Sequence, residues 1–229
     1  MRLLLFDIDG TLLSCGPQEG PSFLSALAET YGLPGRREPG YSFAGKVDPG
    51  IVLDLMRAAG MDEEEVLAGL ETMRGHYARR LEEELLASKM RLLPGVRELL
   101  DALHVRDELW MGLLTGNWEV GARTKLGRFD LNRYFPFGAF GDDGIERGDL
   151  VPPALERARR AAGCDFHPDE VLVIGDTPHD VACAHAHGLR VLAVATGTIP
   201  AEILAEAGAD WVARDLVEAA EMIPVLAAS

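Results

Sequence analysis

Short apolar runs recur along the chain at the length typical of buried β-strands, at 3–6, 109–114, 137–140, 171–174 and 190–194. From residue 109 onward, segments with the spacing of helices separate these runs, at 120–126, 153–162 and 180–187. The segments 203–207, 211–212 and 217–226 close the series. Strands that alternate with helices at these intervals predict a parallel sheet covered by helices on both faces.

The stretch between the first two strands has a different pattern. From about residue 16 to about residue 93 it contains no convincing strand, and the apolar spacing predicts helices over 21–31, 49–59, 63–87 and 94–104. Asp48 is predicted to cap the second of these helices, with Pro49 at its first helical position.

This helical stretch predicts a separate cap domain. We predict a cap of residues 16–91, inserted after the first strand into a core of residues 1–15 and 92–229. The hinges are expected near 14–19 and 88–94. The predicted fold class is therefore α/β, a parallel-sheet core with an all-helical cap.

Composition narrows the function classes. The 229 residues carry 22 Lys and Arg against 37 Asp and Glu, a net charge of −15, which repels phosphate backbones and anionic lipid. We therefore expect no nucleic-acid or membrane partner, and an anionic substrate only where local cations reverse the field. The three cysteines form no C-x-x-C pair, and no signal or membrane-spanning segment is visible, so a reduced cytoplasmic location is expected.

Two carboxylates, Asp7 and Asp9, follow the first apolar run and enter a Gly-Thr turn. Clustered carboxylates at a strand end repel one another and lose water, and a bound hard cation such as Mg²⁺ removes that penalty. One carboxylate of such a pair can attack an electrophile while the other moves a proton. A simple Asx-type turn is the alternative for this segment taken alone.

Two further strand ends carry polar groups suited to phosphate and metal. Thr115, Gly116 and Asn117 combine a hydroxyl with backbone amides that lead into a helix N-terminus, which favours anion binding. Asp176 and Asp180 follow the run at 171–174 and repeat the acidic theme of the first strand. Turn and helix capping explains each of these residues separately, but not the pairing of acids at two strand ends.

Together these segments resemble the haloacid dehalogenase-like hydrolases over essentially the whole chain, in the helical-cap phosphatase branch that includes phosphoglycolate phosphatase. The first motif is FDIDGT, the second LLTGN, the third the basic Arg147, and the fourth GDTPHD. The resemblance implies a Rossmann-like core and a Mg²⁺-dependent phosphatase acting on a small phosphorylated metabolite.

The resemblance also implies residue roles. Asp7 would be the nucleophile that forms an aspartyl-phosphate, and Asp9 would be the general acid and base. Mg²⁺ would be held by the Asp7 carboxylate, the Asp9 main-chain carbonyl and Asp176, with Asp180 supporting from nearby. These roles agree with the charge neutralisation that phosphoryl transfer requires.

The groups that would bind the phosphoryl oxygens and the rest of the substrate are assigned less directly. Thr115 and Arg147 would grip the phosphoryl oxygens, although the family usually has Lys-Pro where this chain has Arg147-Gly148. Lys125 is the substitute candidate, but its place in a predicted helix indicates a surface residue. In the cap, Lys46 follows a glycine, as in a similar segment of phosphoglycolate-phosphatase-like relatives, and is predicted to bind substrate; an exposed turn lysine is the alternative.

Rival functions differ in what they need from these residues. A dehalogenase has no use for the acid that Asp9 supplies. A phosphomutase shares the motifs and stays open as an alternative. A receiver-like phospho-acceptor domain, the non-enzymatic alternative, needs neither Asp9 nor a cap.

Overall fold

The computed structural model describes residues 1–86 and 89–226. Its strands are β1 (Arg2–Phe6), β2 (Leu13–Ser14), β3 (Arg91–Leu92), β4 (Leu109–Leu114), β5 (Gly138–Ala139), β6 (Val171–Gly175), β7 (Arg190–Val194) and β8 (Trp211–Ala213). Six of them form one sheet in the order β5-β4-β1-β6-β7-β8, with every neighbouring pair parallel. The predicted α/β class with a parallel sheet is confirmed.

The α-helices are α1 (Glu19–Tyr31), α2 (Asp48–Ala58), α3 (Glu63–Glu84), α4 (Val96–His104), α5 (Glu119–Gly127), α6 (Val151–Ala162), α7 (Pro178–Ala186), α8 (Ala201–Glu206) and α9 (Leu216–Leu226). The first three lie between β2 and β3, and α1 packs on α3. Phe23 of α1 lies 5.1 Å from the Tyr77 ring of α3 and stacks at 6.1 Å on Trp118, which follows β4. Aromatic packing therefore joins the helices to the sheet edge.

The central strand β1 shows why its four residues after Arg2 are all apolar. Leu4 and Phe6 pack into one hydrophobic core and Leu3 and Leu5 into the other, each at most 2% exposed. A strand covered on both faces needs no polar alternation. Phe6 aligns with residues of both neighbouring strands, β4 and β6, so the residues that follow all three strands emerge at one edge.

Strands β2 and β3 form a short ribbon, and β3, at Arg91–Leu92, corrects the prediction that residues 16–93 contain no strand. They pair antiparallel, Leu13 with Leu92 and Ser14 with Arg91. Two residues are too few to produce a visible alternation, which is why the pattern missed them. The predicted core–cap boundary at 91 and 92 falls inside this ribbon, and the division into two domains stays a prediction.

The predicted Asp48 cap is wrong. Val47 is the N-cap of α2, and Asp48 is its first residue. The Asp48 carboxylate instead accepts a hydrogen bond from the Trp118 amide at 2.8 Å. The helix predicted over 63–87 ends at Glu84, where the next residue becomes extended; residues 87 and 88, in that helix and in the predicted hinge, lie outside the described residues.

Within the described ranges, none of the helices combines the length and the apolar character needed to cross a bilayer.

Candidate active site

Asp7 begins the site at the carboxyl end of β1. Its amide donates to the Ile174 carbonyl at 2.9 Å, which continues the sheet pairing one residue further, and its side chain is buried. Burial raises the pKa of Asp7 to about 6, and repulsion from Asp180 and Asp9 adds to the rise while Arg147 opposes it. The site therefore disfavours a bare negative charge on Asp7.

Asp176 is the second buried carboxylate, at the end of β6. Thr11 donates to it at 3.2 Å, and burial, with repulsion from Asp7 and Asp180, raises its pKa to about 8. Gly10 packs so closely that a Cβ there would lie 2.2 Å from an Asp176 carboxylate oxygen, and its φ of +85° also favours glycine. The Asp-Gly-Thr turn thus folds against Asp176.

Asp180 completes an acidic triad. Its carboxylate accepts from the amide of Thr177 at 3.0 Å and from its hydroxyl at 2.8 Å, which starts helix α7 with a capping box. Ligand oxygens of Asp7, Asp176 and Asp180 all lie within 4.8 Å of one another. Three buried carboxylates this close together suit a hard divalent cation, and the pKa values of Asp7 and Asp176 are raised, so these residues fit Mg²⁺.

Arg147 lies against this triad. Its guanidinium is 3.2 Å from Asp7, bonds to Asp180, and donates to the Leu114 carbonyl at 3.0 Å. Burial alone would lower the pKa of Arg147, but Asp180 and Asp7 outweigh burial and raise it. Arg147, which the sequence suggested as the third motif, therefore lies beside Asp7 in the structure.

The expectation that Lys125 is a surface residue is wrong. Lys125 is 0% exposed, and its ammonium donates to Asp9 at 2.7 Å and to the Asn117 amide oxygen at 2.5 Å. Asn117 in turn donates to the same Asp9 oxygen at 2.8 Å and to the Thr115 hydroxyl at 2.9 Å. The Asn117 side chain thus lies between three site residues.

A sequence signal could have located Lys125. The buried residues of α5 are Gly121, Ala122, Lys125 and Leu126, which share one face at helical spacing. A lysine in the middle of such a face needs a buried partner, and Asp9 and Asn117 provide it.

Lys125→Met keeps the length of this side chain and removes its charge. We expect the free energy of unfolding to fall by about 1–3 kcal/mol, because a buried Asn117 oxygen loses its donor. Urea unfolding followed by circular dichroism measures the change. Lys89→Met, at an exposed lysine, is the matched control and should shift stability by less than about 0.5 kcal/mol. Equal shifts in the two variants would contradict the pairing.

The cap-side segment around Lys46 contacts the second motif. A Cβ on Gly116 would lie 2.0 Å from the Lys46 carbonyl oxygen, so only glycine permits this approach. The Lys46 ammonium pairs with Asp54 at 2.6 Å and lies 4.2 Å above the Tyr41 ring. The contact predicted between Lys46 and the substrate stays a prediction. The Lys46 ammonium already has an ion-pair partner in Asp54.

All of the predicted site residues except Asp180 line one cavity of about 350 Å³. Asp7, Asp9, Thr115, Arg147 and Asp176 form its sheet-edge wall. Phe23, Phe43 and Lys46, from the segment between β2 and β3, also line it. The size suits a small molecule.

The fold and this acidic, cation-flanked strand edge agree with a known family. A family model described as haloacid dehalogenase-like hydrolase matches residues 4–194, and the chain belongs to that family. The relatives described below confirm the predicted enzyme class, a phosphoric monoester hydrolase.

Two curated relatives are similar over most of their length. The phosphoglycolate phosphatase of Cereibacter sphaeroides is 31% identical over 193 residues, covering 82% of each protein. Phosphoglycolate phosphatase 1 of Pseudomonas aeruginosa is 30% identical over 200 residues, covering 86% of this chain and 70% of that protein. The crystal structure of a predicted phosphatase from Clostridium acetobutylicum shares the fold, with a TM-score of 0.73 and 21% identity over 98% of both chains.

Proposed function

We propose that the chain is a Mg²⁺-dependent phosphatase that hydrolyses a small phosphorylated metabolite through an aspartyl-phosphate on Asp7. The observation that carries the proposal is the buried cluster of Asp7, Asp176 and Asp180 with Arg147 beside it. The names of the two curated relatives support a substrate like phosphoglycolate.

In the first step, an Asp7 carboxylate oxygen forms a bond to phosphorus as the bond to the leaving oxygen breaks. Asp9 gives its proton to that oxygen. In the second step, Asp9 takes a proton from water, the water oxygen bonds to phosphorus, and the Asp7 carboxylate is released with inorganic phosphate.

Mg²⁺, held by Asp7, the Asp9 main-chain carbonyl and Asp176 with Asp180 nearby, would supply the positive charge that phosphoryl transfer needs. Arg147 adds a fixed cation within 3.2 Å of Asp7. Its Nε is buried and has no hydrogen-bond partner among the described residues. The Thr115 hydroxyl and the Gly116 and Asn117 segment would complete the phosphoryl site.

The position of the Asp9 carboxylate allows its proposed role as general acid to be tested. One of its oxygens is bound by Lys125 and Asn117, and its side chain is 33% exposed, so the carboxylate is both oriented and accessible. We expect Asp9→Asn to slow aspartyl-phosphate formation strongly for alkyl phosphates and least for aryl phosphates, whose leaving groups need no proton. Rapid-quench kinetics with both substrates measures the difference. Equal losses would contradict an acid role for Asp9.

The proposed function itself is tested by a screen of phosphorylated metabolites with Mg²⁺. Repeated release of inorganic phosphate is the expected result. Interconversion of sugar-phosphate isomers would favour the phosphomutase alternative. A single phosphorylation event without turnover would favour a receiver-like acceptor.

A further inference from the structure

The cations that line the cavity differ in whether their side chains have ion-pair partners. Its lining carboxylates are Asp7, Asp9, Asp48 and Asp176, and its lining cations are Lys46, Arg91 and Arg147. Arg147 pairs with Asp7 and Asp180, and Lys46 with Asp54. Of these three cations, Arg91 is the one whose side chain makes no ion pair or hydrogen bond to any described residue.

Arg91 has a defined position despite its exposure. It belongs to β3 and aligns with Ser14 of β2, and both residues line the cavity that holds Asp7. The ribbon fixes the backbone of Arg91 by strand pairing, whereas the guanidinium keeps all its donors available. A planar guanidinium matches the geometry of a carboxylate and can bind it with two parallel hydrogen bonds.

We propose that Arg91 is a specificity-determining residue that binds a carboxylate of the substrate while the phosphoryl group lies at Asp7. The inference rests on the proposed function and names its substrate class, a phosphate monoester that carries a carboxylate on the leaving group. Four lining carboxylates and a net charge of −15 would repel such a group in the absence of a dedicated cation.

This assignment replaces the sequence-based choice of Lys46. The Lys46 ammonium forms an ion pair with Asp54 at 2.6 Å. Burial alone would raise the pKa of Asp54, but hydrogen bonds from Lys46 and Tyr41 outweigh burial and keep this pKa below its ordinary value. To bind a substrate anion, Lys46 would have to share or lose an existing partner. Arg91 has no such partner to lose among the described residues.

The test compares 2-phosphoglycolate with 2-hydroxyethyl phosphate, which has a hydroxymethyl group in place of the carboxylate. Arg91→Gln should lower kcat/KM for 2-phosphoglycolate by about 10- to 100-fold, mainly through KM, the effect of one charged hydrogen-bonded contact. The same variant should change kcat/KM for 2-hydroxyethyl phosphate by less than about twofold. Arg91→Lys, a point charge without the planar fork, should recover part of the loss.

Lys89→Gln is the matched control, because it removes one exposed positive charge two residues from Arg91 outside the cavity lining. It should leave both substrates unchanged. Equal losses on both substrates in Arg91→Gln, or a carboxylate-specific loss in Lys46→Gln alone, would overturn the assignment. If the unaltered protein with Mg²⁺ hydrolysed neither phosphate but released phosphate from other metabolites, only the Arg91 assignment would fail. Release from no metabolite would refute the proposed function, and hydrolysis of both phosphates without an Arg91 effect would refute only the assignment.

Discussion

Asp7→Asn is expected to lower kcat by roughly 10³-fold or more, because it removes the attacking charge and one oxygen ligand of the cation while keeping the side-chain shape. The buried position makes the result interpretable. Burial raises the pKa of Asp7 to about 6, so folding gains nothing from its charge and the neutral amide should be tolerated. Steady-state phosphate release at saturating substrate measures the loss.

Controls separate chemistry from folding in this experiment. Circular dichroism and thermal unfolding should show an intact Asp7→Asn protein. Asp107→Asn, at an exposed aspartate outside the cavity, should retain full activity. Mass spectrometry of acid-quenched reactions should find a phosphoryl group on the peptide that contains Asp7 in the unaltered protein and none there in the variant. Substantial turnover by pure Asp7→Asn would rule out covalent catalysis by this residue.

The architecture of the sheet was accessible from the sequence because it depends on local pattern. Buried parallel strands are continuous apolar runs, and the polar residues that follow them must meet at one edge. Asp7, Thr115 and Asp176 were therefore predictable as neighbours, although they lie far apart in the chain. Arg147 was predictable only through the family motif, since a single arginine before a helix has no local signature.

The contacts that the sequence did not predict depend on geometry between distant segments. Lys125 looked like a surface residue because a helical lysine is usually exposed, and its place on the face of Ala122 and Leu126 does not identify Asp9 as its partner. The β2–β3 ribbon was missed because it has two residues per strand. The Asp48 cap was wrong because the Trp118 amide, 70 residues away, competes for its carboxylate. In each case a long-range partner overrides a local preference.

Removal of divalent metal is expected to abolish turnover and also to change stability in a pH-dependent way. The pKa of Asp176 rises from 3.8 to about 8 and that of Asp7 to about 6 on folding, chiefly through burial. A carboxyl group with a raised pKa stabilises the fold fully below its unfolded value and loses that contribution as the pH rises through the folded value. The metal-free protein should therefore become less stable between about pH 4 and about pH 8.

Mg²⁺ should reverse this loss, because it binds the ionised carboxylates of the folded state. At about a hundredfold excess over its dissociation constant, Mg²⁺ should raise Tm by about 5–10 °C at pH 8 and by much less at pH 5. Differential scanning calorimetry after EDTA treatment and Mg²⁺ addition measures both shifts. Ca²⁺ should support little turnover, because its larger and more flexible coordination displaces the reacting groups.

The variant Asp176→Asn tests whether Asp176 causes the pH-dependent loss of stability and binds Mg²⁺. It should make the metal-free protein more stable than the unaltered one at pH 8, since it removes a buried charge, and it should abolish both the Mg²⁺-induced Tm shift and activity. Asp180→Asn is the contrasting variant. Its carboxylate already has partners in Arg147 and Thr177, so its loss should lower stability in the metal-free protein. A Mg²⁺-induced shift that survives in Asp176→Asn would remove Asp176 from the ligand set. Full activity after exhaustive EDTA treatment would exclude metal dependence.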